Sequence, residues 1–288
     1  IFFIARRKYD ILMCHFGNTG NIGAFVKKHI DPDIRLICMF HGVDIRSGIE
    51  EGGSIYSDLF AQANEILSIS SYNQRHLVRF GAPNIRHHAV GVNVDVCKKT
   101  DRAKPPGTPI HILTVARLVW EKGYKHAFDA VKLLKEEYGQ RSFVYHVIGD
   151  GPLKEELQQY VRERGLSDVV IFEGELFGEE VHRHYQHTSL FLLPSIAEAL
   201  PVVLMEAQAY EIPVVATDVG SVHEEIDDGK TGFLVPPANS GEIAKKLDWL
   251  LRHQERWAEM GKKGREKMKK EFNISKLNME LEDIFFKE

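Results

Sequence analysis

Residues 190–207 read Leu190-Phe-Leu-Leu-Pro194-Ser195-Ile-Ala-Glu198-Ala-Leu200-Pro201-Val-Val-Leu-Met-Glu206-Ala207. Four consecutive apolar residues closed by a proline suit a strand buried on both faces. Pro201 suits the first turn of a helix, where its missing N–H costs nothing, and the helical pattern runs over Pro201–Tyr210. The unit is therefore strand, loop, helix, with Glu198 in the loop at the strand's carboxyl end and Glu206 in the helix's second turn. Working outward, the same alternation recurs. Downstream of a polar stretch with three prolines, Lys99–Pro109, which reads as an interdomain linker, strands are expected at Ile110–Val115, Phe143–Ile148, Val169–Phe172, Leu190–Leu193, Val214–Ala216 and Gly232–Val235. Helices are expected at Tyr124–Glu137, Leu153–Arg164, Gly178–His187, Pro201–Tyr210 and Ser240–His253. Upstream lie strands at Ile11–His15, Ile34–Phe40, Glu65–Ser70 and Ile85–Val90, with helices including Ile22–His29 and Tyr72–Phe80. This pattern specifies α/β architecture with parallel sheets, whose ligands sit outside the carboxyl ends of the strands.

The chain has 288 residues, a length that suggests two cores rather than one. The expected division is a partial domain over 1–104, a complete Rossmann-like domain over 105–270, and a terminal helix over 271–288 that packs back on the first. Only about four strands precede the linker, against five or six in a full doubly wound unit, and residue 1 is Ile1. The expectation is a chain lacking its opening βα units. With 43% hydrophobic and 27% charged residues, the composition is globular. A net charge of −4 gives no case for generic nucleic-acid binding. No apolar run approaches the roughly 20 residues that cross a bilayer. Cys14, Cys38 and Cys97 form no CxxC pair and are odd in number, which fits a reducing, cytoplasmic setting.

The amino terminus of the helix after Leu200 offers backbone N–H groups around Leu200–Val203 that suit phosphate or sugar oxygens. Carboxylates beside it accept hydrogen bonds from hydroxyl groups. Taken alone, Glu198 could equally cap its loop and Glu206 face water. Arg117 and Lys122 follow the strand Ile110–Val115, at the edge where a leaving diphosphate would lie; taken alone, they could be a solvated pair. His41 ends the apolar run Leu36–Phe40, where a histidine is commonly structural.

The surrounding motifs weigh against those bland alternatives. The E-x7-E pattern of Glu198 and Glu206 within Ser195–Ala207 resembles the signature of glycosyltransferase family 4, retaining enzymes of the GT-B fold. Ile112–Gly123 resembles the first strand and loop of that family's nucleotide domain, and Gly149-Asp-Gly-Pro152 its GDGP turn. Pro213–Thr217, Gly220 and Asp228–Val235 resemble its closing segments. Tyr9–Gly17 and Phe40-His41-Gly42-Val-Asp44 are similar to its HFG and HGxD stretches. The wording is nearest to the branch that builds bacterial exopolysaccharides such as colanic acid. Ala199 departs from the family, which commonly has glycine after the first glutamate.

The resemblance implies two Rossmann-like, doubly wound domains facing a cleft, and transfer of a sugar with retention from a nucleotide-diphosphate sugar to an acceptor hydroxyl, on a glycan or lipid-linked glycan. It implies that Arg117 and Lys122 hold the diphosphate and stabilise its departure, and that Glu206 holds the ribose. Glu198 and the backbone of Leu200, Pro201 and Val202 hold the sugar, the base packs near Leu176, and His41 reaches the sugar from the facing domain. Asp44 reads as a hydrogen-bonding partner of its own loop, and His15 as cleft wall or acceptor contact. No cofactor and no metal are expected, since cationic side chains and a helix terminus do the work of a divalent ion. The alternatives are a nucleotide-sugar epimerase of the same fold and a non-catalytic donor-binding remnant.

Other signals are discounted. Gly229-Lys230-Thr231 lacks the upstream glycine of a P-loop, and a strand follows it. Gly17, Gly20 and Gly23 are spaced GxxGxxG, which does not match the GxGxxG of nicotinamide binding. Asp31-Pro32-Asp33 reads as a turn. Of His182, His184 and His187, only His184 and His187 share a helix face, with no HExxH or cysteine cluster near in sequence, so a solvated helix is preferred to a zinc site. Arg252–Glu271, with eight Lys/Arg against four Glu, reads as an amphipathic helix, with peripheral contact at the inner face of an anionic membrane as the alternative.

Overall fold

The computed structural model describes residues 9–97, 109–137 and 142–286. The described residues up to Val90, with those from Ser275 onward, form one compact unit, and Gly91–Ile274 form another.

In the first unit the strands β1 (Ile11–His15), β2 (Arg35–Phe40), β3 (Glu65–Ser68) and β4 (Ile85–His87) form a parallel sheet in that order. Cys14 pairs with Cys38, and Cys38 with Ile66. β2 is buried along nearly its whole length, which is why its sequence is a continuous apolar run rather than an alternation. The helices are α1 (Gly17–His29), α2 (Gly42–Glu50), α3 (Ser57–Gln62) and α4 (Ser71–Phe80). Ser70 caps α4 by accepting from Asn73 N, and Gly81 ends it in the left-handed region.

Helix α1 starts at Gly17, five residues before the helical pattern suggested. Gly17, Gly20 and Gly23 lower intrinsic helix propensity and so hid the start. They are packing positions: a Cβ on Gly20 would stand 2.6 Å from Cys38 Sγ, and one on Gly23 would stand 2.7 Å from Leu36 Cδ1. The helix lies against the sheet because these three residues have no side chain. Helices α2 and α3 fill the connection between β2 and β3, where the sequence reading gave no bounds, and β3 and β4 end earlier than expected.

The second unit carries β5 (Ile110–Val115), α5 (Tyr124–Glu136), β6 (Phe143–Ile148), α6 (Lys154–Glu163), β7 (Val170–Gly174), α7 (Glu179–His187), β8 (Leu190–Leu193), α8 (Val202–Ala209), β9 (Val214–Thr217), α9 (Val222–Glu225), β10 (Gly232–Val235), α10 (Ser240–Arg252) and α11 (Trp257–Glu271). Its six parallel strands run β10-β9-β8-β5-β6-β7, the doubly wound order whose direction reverses between β5 and β8. Ile112, Phe128, Tyr145, Leu190 and Leu247 are among the fully buried side chains of its core, each worth roughly 1.5–3 kcal/mol when removed from water.

The second unit begins at Gly91, not at residue 105. Val92 N donates to Phe272 O at 2.9 Å, Ile274 N donates to Val92 O at 3.1 Å, and Arg265 reaches the carbonyls of Val94 and Cys97. These bonds tie 91–97 to α11 and its end. Of the expected linker Lys99–Pro109, all but Pro109 lies outside the described residues. The basic stretch is helical as α11, and its apolar stripe of Trp257, Met260 and Met268 is buried; Gly261 lies so close to Glu211 that a Cβ would stand 2.0 Å from its carbonyl oxygen. The last helix, α12 (Ile274–Phe286), belongs from Ser275 on to the first unit, where Arg35 Nη1 donates to Phe285 O at 2.8 Å. Among the described residues no helix is long and apolar enough to cross a membrane.

Candidate functional site

Strands β5 and β8 are neighbours at the point where the strand order reverses, and ligands of such sheets sit outside the carboxyl ends there. After β5 the chain passes Arg117 and a short 3-10 turn, Trp120–Lys122, which ends at Gly123 with φ +63°. After β8 it passes Pro194–Ala199. The two loops are bonded to each other: Ile196 N donates to Glu121 O at 2.7 Å, and a Cβ on Gly123 would stand 2.0 Å from Pro194 O. Position 123 therefore needs glycine for both its conformation and the closeness of the loops.

Within this junction Lys122 Nζ donates to Glu198 Oε1 at 2.6 Å, and Ser195 Oγ donates to the same oxygen at 2.7 Å. The lysine and glutamate side chains are 19% and 9% exposed, so the pair is partly desolvated and its attraction is screened less than that of a surface ion pair. Gly220, with φ +61°, fits against the backbone of Glu198, where a Cβ would meet its carbonyl oxygen at 1.9 Å, and Ser221 N donates to Ala199 O at 3.0 Å. The loop of Glu198 is thus fixed from both sides.

Arg117 is exposed. Its loop rests on the turn Gly149–Pro152: Leu118 N donates to Asp150 O at 2.8 Å, and a Cβ on Gly149 would meet Ala116 O at 2.0 Å. Pro201 is the N-cap of α8 rather than its first helical residue, and the helix begins at Val202. Leu200 and Pro201 are buried, and Val202 is 39% exposed. Four residues on, Glu206 Oε2 accepts from Tyr185 Oη at 2.9 Å. Burial pushes the Glu206 carboxyl above its ordinary value, against the opposing pull of the Tyr185 hydroxyl and nearby His182. Leu176, half-buried, lies between β7 and α7.

The second unit therefore brings Lys122 and Glu198 into contact and carries Arg117, Leu176, Leu200, Pro201, Val202 and Glu206. His41 stands in the first unit, as N-cap of α2. Asp44 closes the capping box, its carboxylate accepting from His41 N at 2.8 Å and Gly17 N at 3.0 Å. His15 Nδ1 lies 3.2 Å from His41 Nε2. Burial and then His15 push the His41 pKa down to about 4, so its imidazole is neutral at neutral pH. Sequence reasoning missed Ser195 and Tyr185 as partners of the two glutamates. Ser195 was visible as a hydroxyl three residues before Glu198; Tyr185 comes from another helix and left no local signal.

The profile of the family described as glycosyl transferases group 1 matches residues 98–267, more than half of the chain. WcaL of Escherichia coli, which carries the name of a colanic acid biosynthesis glycosyltransferase, is 31% identical over 96% of this chain and 70% of its own length. The amylovoran biosynthesis glycosyltransferase AmsK of Erwinia amylovora is 31% identical over 92% of this chain and 67% of its own. The solved structure of Alr3699/HepE from Anabaena, in complex with UDP and glucose, is similar in fold with a TM-score of 0.86, at 18% identity, over 97% of this chain and 78% of that one. The fold, two Rossmann-like sheets with helical crossovers, is GT-B. On the family match and these relatives, the chain belongs to the glycosyl transferases group 1.

Proposed function

We propose that the protein transfers a hexosyl residue from a nucleotide-diphosphate sugar to a hydroxyl of a glycan or lipid-linked glycan, in exopolysaccharide assembly, with retention at the anomeric carbon. The observation that carries this is the Lys122–Glu198 pair at the strand-order reversal, with the start of α8 beside it. In this reading the bond from the anomeric carbon to the diphosphate breaks, with its electrons leaving on the diphosphate. The acceptor oxygen forms the new bond, and its proton passes to the departing diphosphate oxygen, which carries the released electron pair. Lys122 and Arg117 take up the charge that develops on the departing group. Glu198 and the backbone of Leu200, Pro201 and Val202 hold the sugar hydroxyls, Glu206 accepts from the ribose, and Leu176 packs on the base. No divalent ion takes part at the diphosphate, because two side-chain cations and a helix terminus supply the positive field there.

The names of the Escherichia coli and Erwinia amylovora relatives support polysaccharide assembly, and the UDP and glucose on the Anabaena protein support a nucleoside diphosphate sugar. Calorimetry with a panel of nucleoside diphosphates tests the reading. Arg117→Ala and Glu206→Ala are each expected to weaken binding of the best ligand. Unchanged affinity in both would remove the site. NMR of the product from an α-linked donor reports whether configuration is retained.

A further inference from the structure

Apart from the loops after β5 and β8, histidines gather on the face of the second sheet that carries α7. His146 of β6 has Nδ1 at 2.6 Å from Glu173 Oε1 of β7 and Nε2 at 2.8 Å from His111 Nδ1 of β5. The ring of His184, on α7, meets that of His146 edge-on with centroids 5.9 Å apart. A cavity of about 200 Å3 opens here, lined by His111, His146, Arg183, His184, His187 and Thr188. Residues of β5, β6 and α7 thus line the cavity, and Glu173 of β7 stands beside it through its bond to His146. The sequence placed His184 on a helix with no second cluster near it; the partners come from β6 and β7, whose residues lie 38 and 11 positions away.

We propose that His146, Glu173 and His184 bind a borderline divalent transition-metal ion of the zinc class. One ligand atom from each lies within 4.8 Å of the others. Zinc bound to nitrogen at about 2.0–2.1 Å in a tetrahedron holds its ligand atoms about 3.3 Å apart. The His146–Glu173 contact would open slightly and the His184 ring would swing inward, which its half-exposed position permits. Two imidazoles and one carboxylate suit zinc or cobalt; magnesium and calcium take oxygen ligands. With His146 Nδ1 on the ion, its Nε2–H donates to His111 Nδ1 across the existing contact. His111 then orients the ligand, the common arrangement behind metal-bound histidines. Arg183 is the adverse charge in the cavity; it is exposed, so solvent screens it. A bound ion would tie α7 to β6 and β7. Helix α7 carries Tyr185, the donor to Glu206, and His182, whose Nδ1 is 2.6 Å from Tyr210 Oη.

The test uses the whole chain, stripped with chelator, then titrated with Zn2+ by calorimetry and with Co2+ by visible absorption. One equivalent is expected to bind at micromolar or tighter concentration, to raise the melting temperature, and to give the visible bands of four-coordinate cobalt. His184→Ala and His146→Ala are each expected to weaken Zn2+ binding by about 100-fold, and Glu173→Gln by about 10-fold or more. His223→Ala, an exposed histidine on α9, is expected to change nothing. His184→Ala should melt like the parent in chelator, which separates loss of metal from loss of fold. Zn2+ affinity that survives both histidine variants, or cobalt spectra of six-coordinate type, would overturn the proposal.

Discussion

Lys122 and Glu198 come from loops 76 residues apart and share one short bond of 2.6 Å, with Ser195 as a second donor to the same carboxylate oxygen. The lysine is thus occupied before any diphosphate arrives, and a phosphate oxygen must share an ammonium already engaged. Glu198→Gln releases that ammonium while keeping the shape of the side chain. The variant is expected to bind a sugar-free nucleoside diphosphate no more weakly than the parent, and to lose about 100-fold in turnover with the full donor, as for other lost transition-state contacts. Equal losses with and without the sugar would contradict the division of labour between Glu198 and Glu206.

Tyr185 is fully buried, and its hydroxyl serves both Glu206 Oε2 at 2.9 Å and Val203 O at 3.3 Å. Removing it leaves a half-buried carboxylate short of a donor, a defect worth roughly 1–3 kcal/mol. Tyr185→Phe is expected to lower unfolding stability by that amount in urea titration. Donor affinity should fall about three- to tenfold, because an unsupported Glu206 is harder to ionise and turns from the ligand. A variant with lower stability and unchanged affinity would make Tyr185 a core residue only.

The second sheet was legible almost strand by strand, because a parallel sheet covered on both faces writes itself as short apolar runs such as Leu190–Leu193. The Pro201 start was legible to within one residue for a similar reason: proline constrains the chain locally. What the sequence hid depends on contacts across distance. The glycines of α1 act through Cys38, Leu59 and Leu36, so a local pattern misses the first turn and a half of the helix. The unit border at Gly91 follows from bonds to Phe272 and Arg265, not from composition. In the same way Glu198 and Lys122 were each nameable from motifs, but their bond was not, and Glu173 had no local mark at all beside His146.

His41 sets one pH limit on the first unit. Its pKa lies near 4, below the ordinary 6.5, because burial and His15 disfavour its charged form. Above pH 6.5 the residue is neutral in both folded and unfolded chains and contributes no pH dependence. Between 6.5 and about 4 the unfolded chain takes up a proton that the folded chain refuses, so stability is lost as pH falls through that window. Asparagine keeps an N-cap at α2 and does not titrate. His41→Asn is therefore expected to lose less stability than the parent between pH 7 and pH 4.5, read as the difference in urea midpoints. Identical losses would show that His41 is solvated rather than held neutral.

Glu225 produces the opposite slope in the second unit. It ends α9, is fully buried, and among the described residues neither carboxyl oxygen has a hydrogen-bond partner. Burial is the main cause that raises its pKa well above the ordinary value; the charges of Glu198 and Glu224 add to it, and Lys267 opposes. The folded chain therefore keeps Glu225 protonated where the unfolded chain has ionised it. Stability from this group is whole below about pH 4.5 and is lost as pH rises, by about 1.4 kcal/mol per unit until the folded carboxyl itself titrates. Glutamine mimics the protonated form and carries no such loss. Glu225→Gln is expected to match the parent near pH 4.5 and to exceed it by a widening margin through pH 6 and pH 7, measured by urea unfolding at each pH. Because Glu198 is one source of the shift, Glu198→Gln should narrow that margin. A difference that stays constant with pH would mean that Glu225 ionises in the folded chain with a partner of its own.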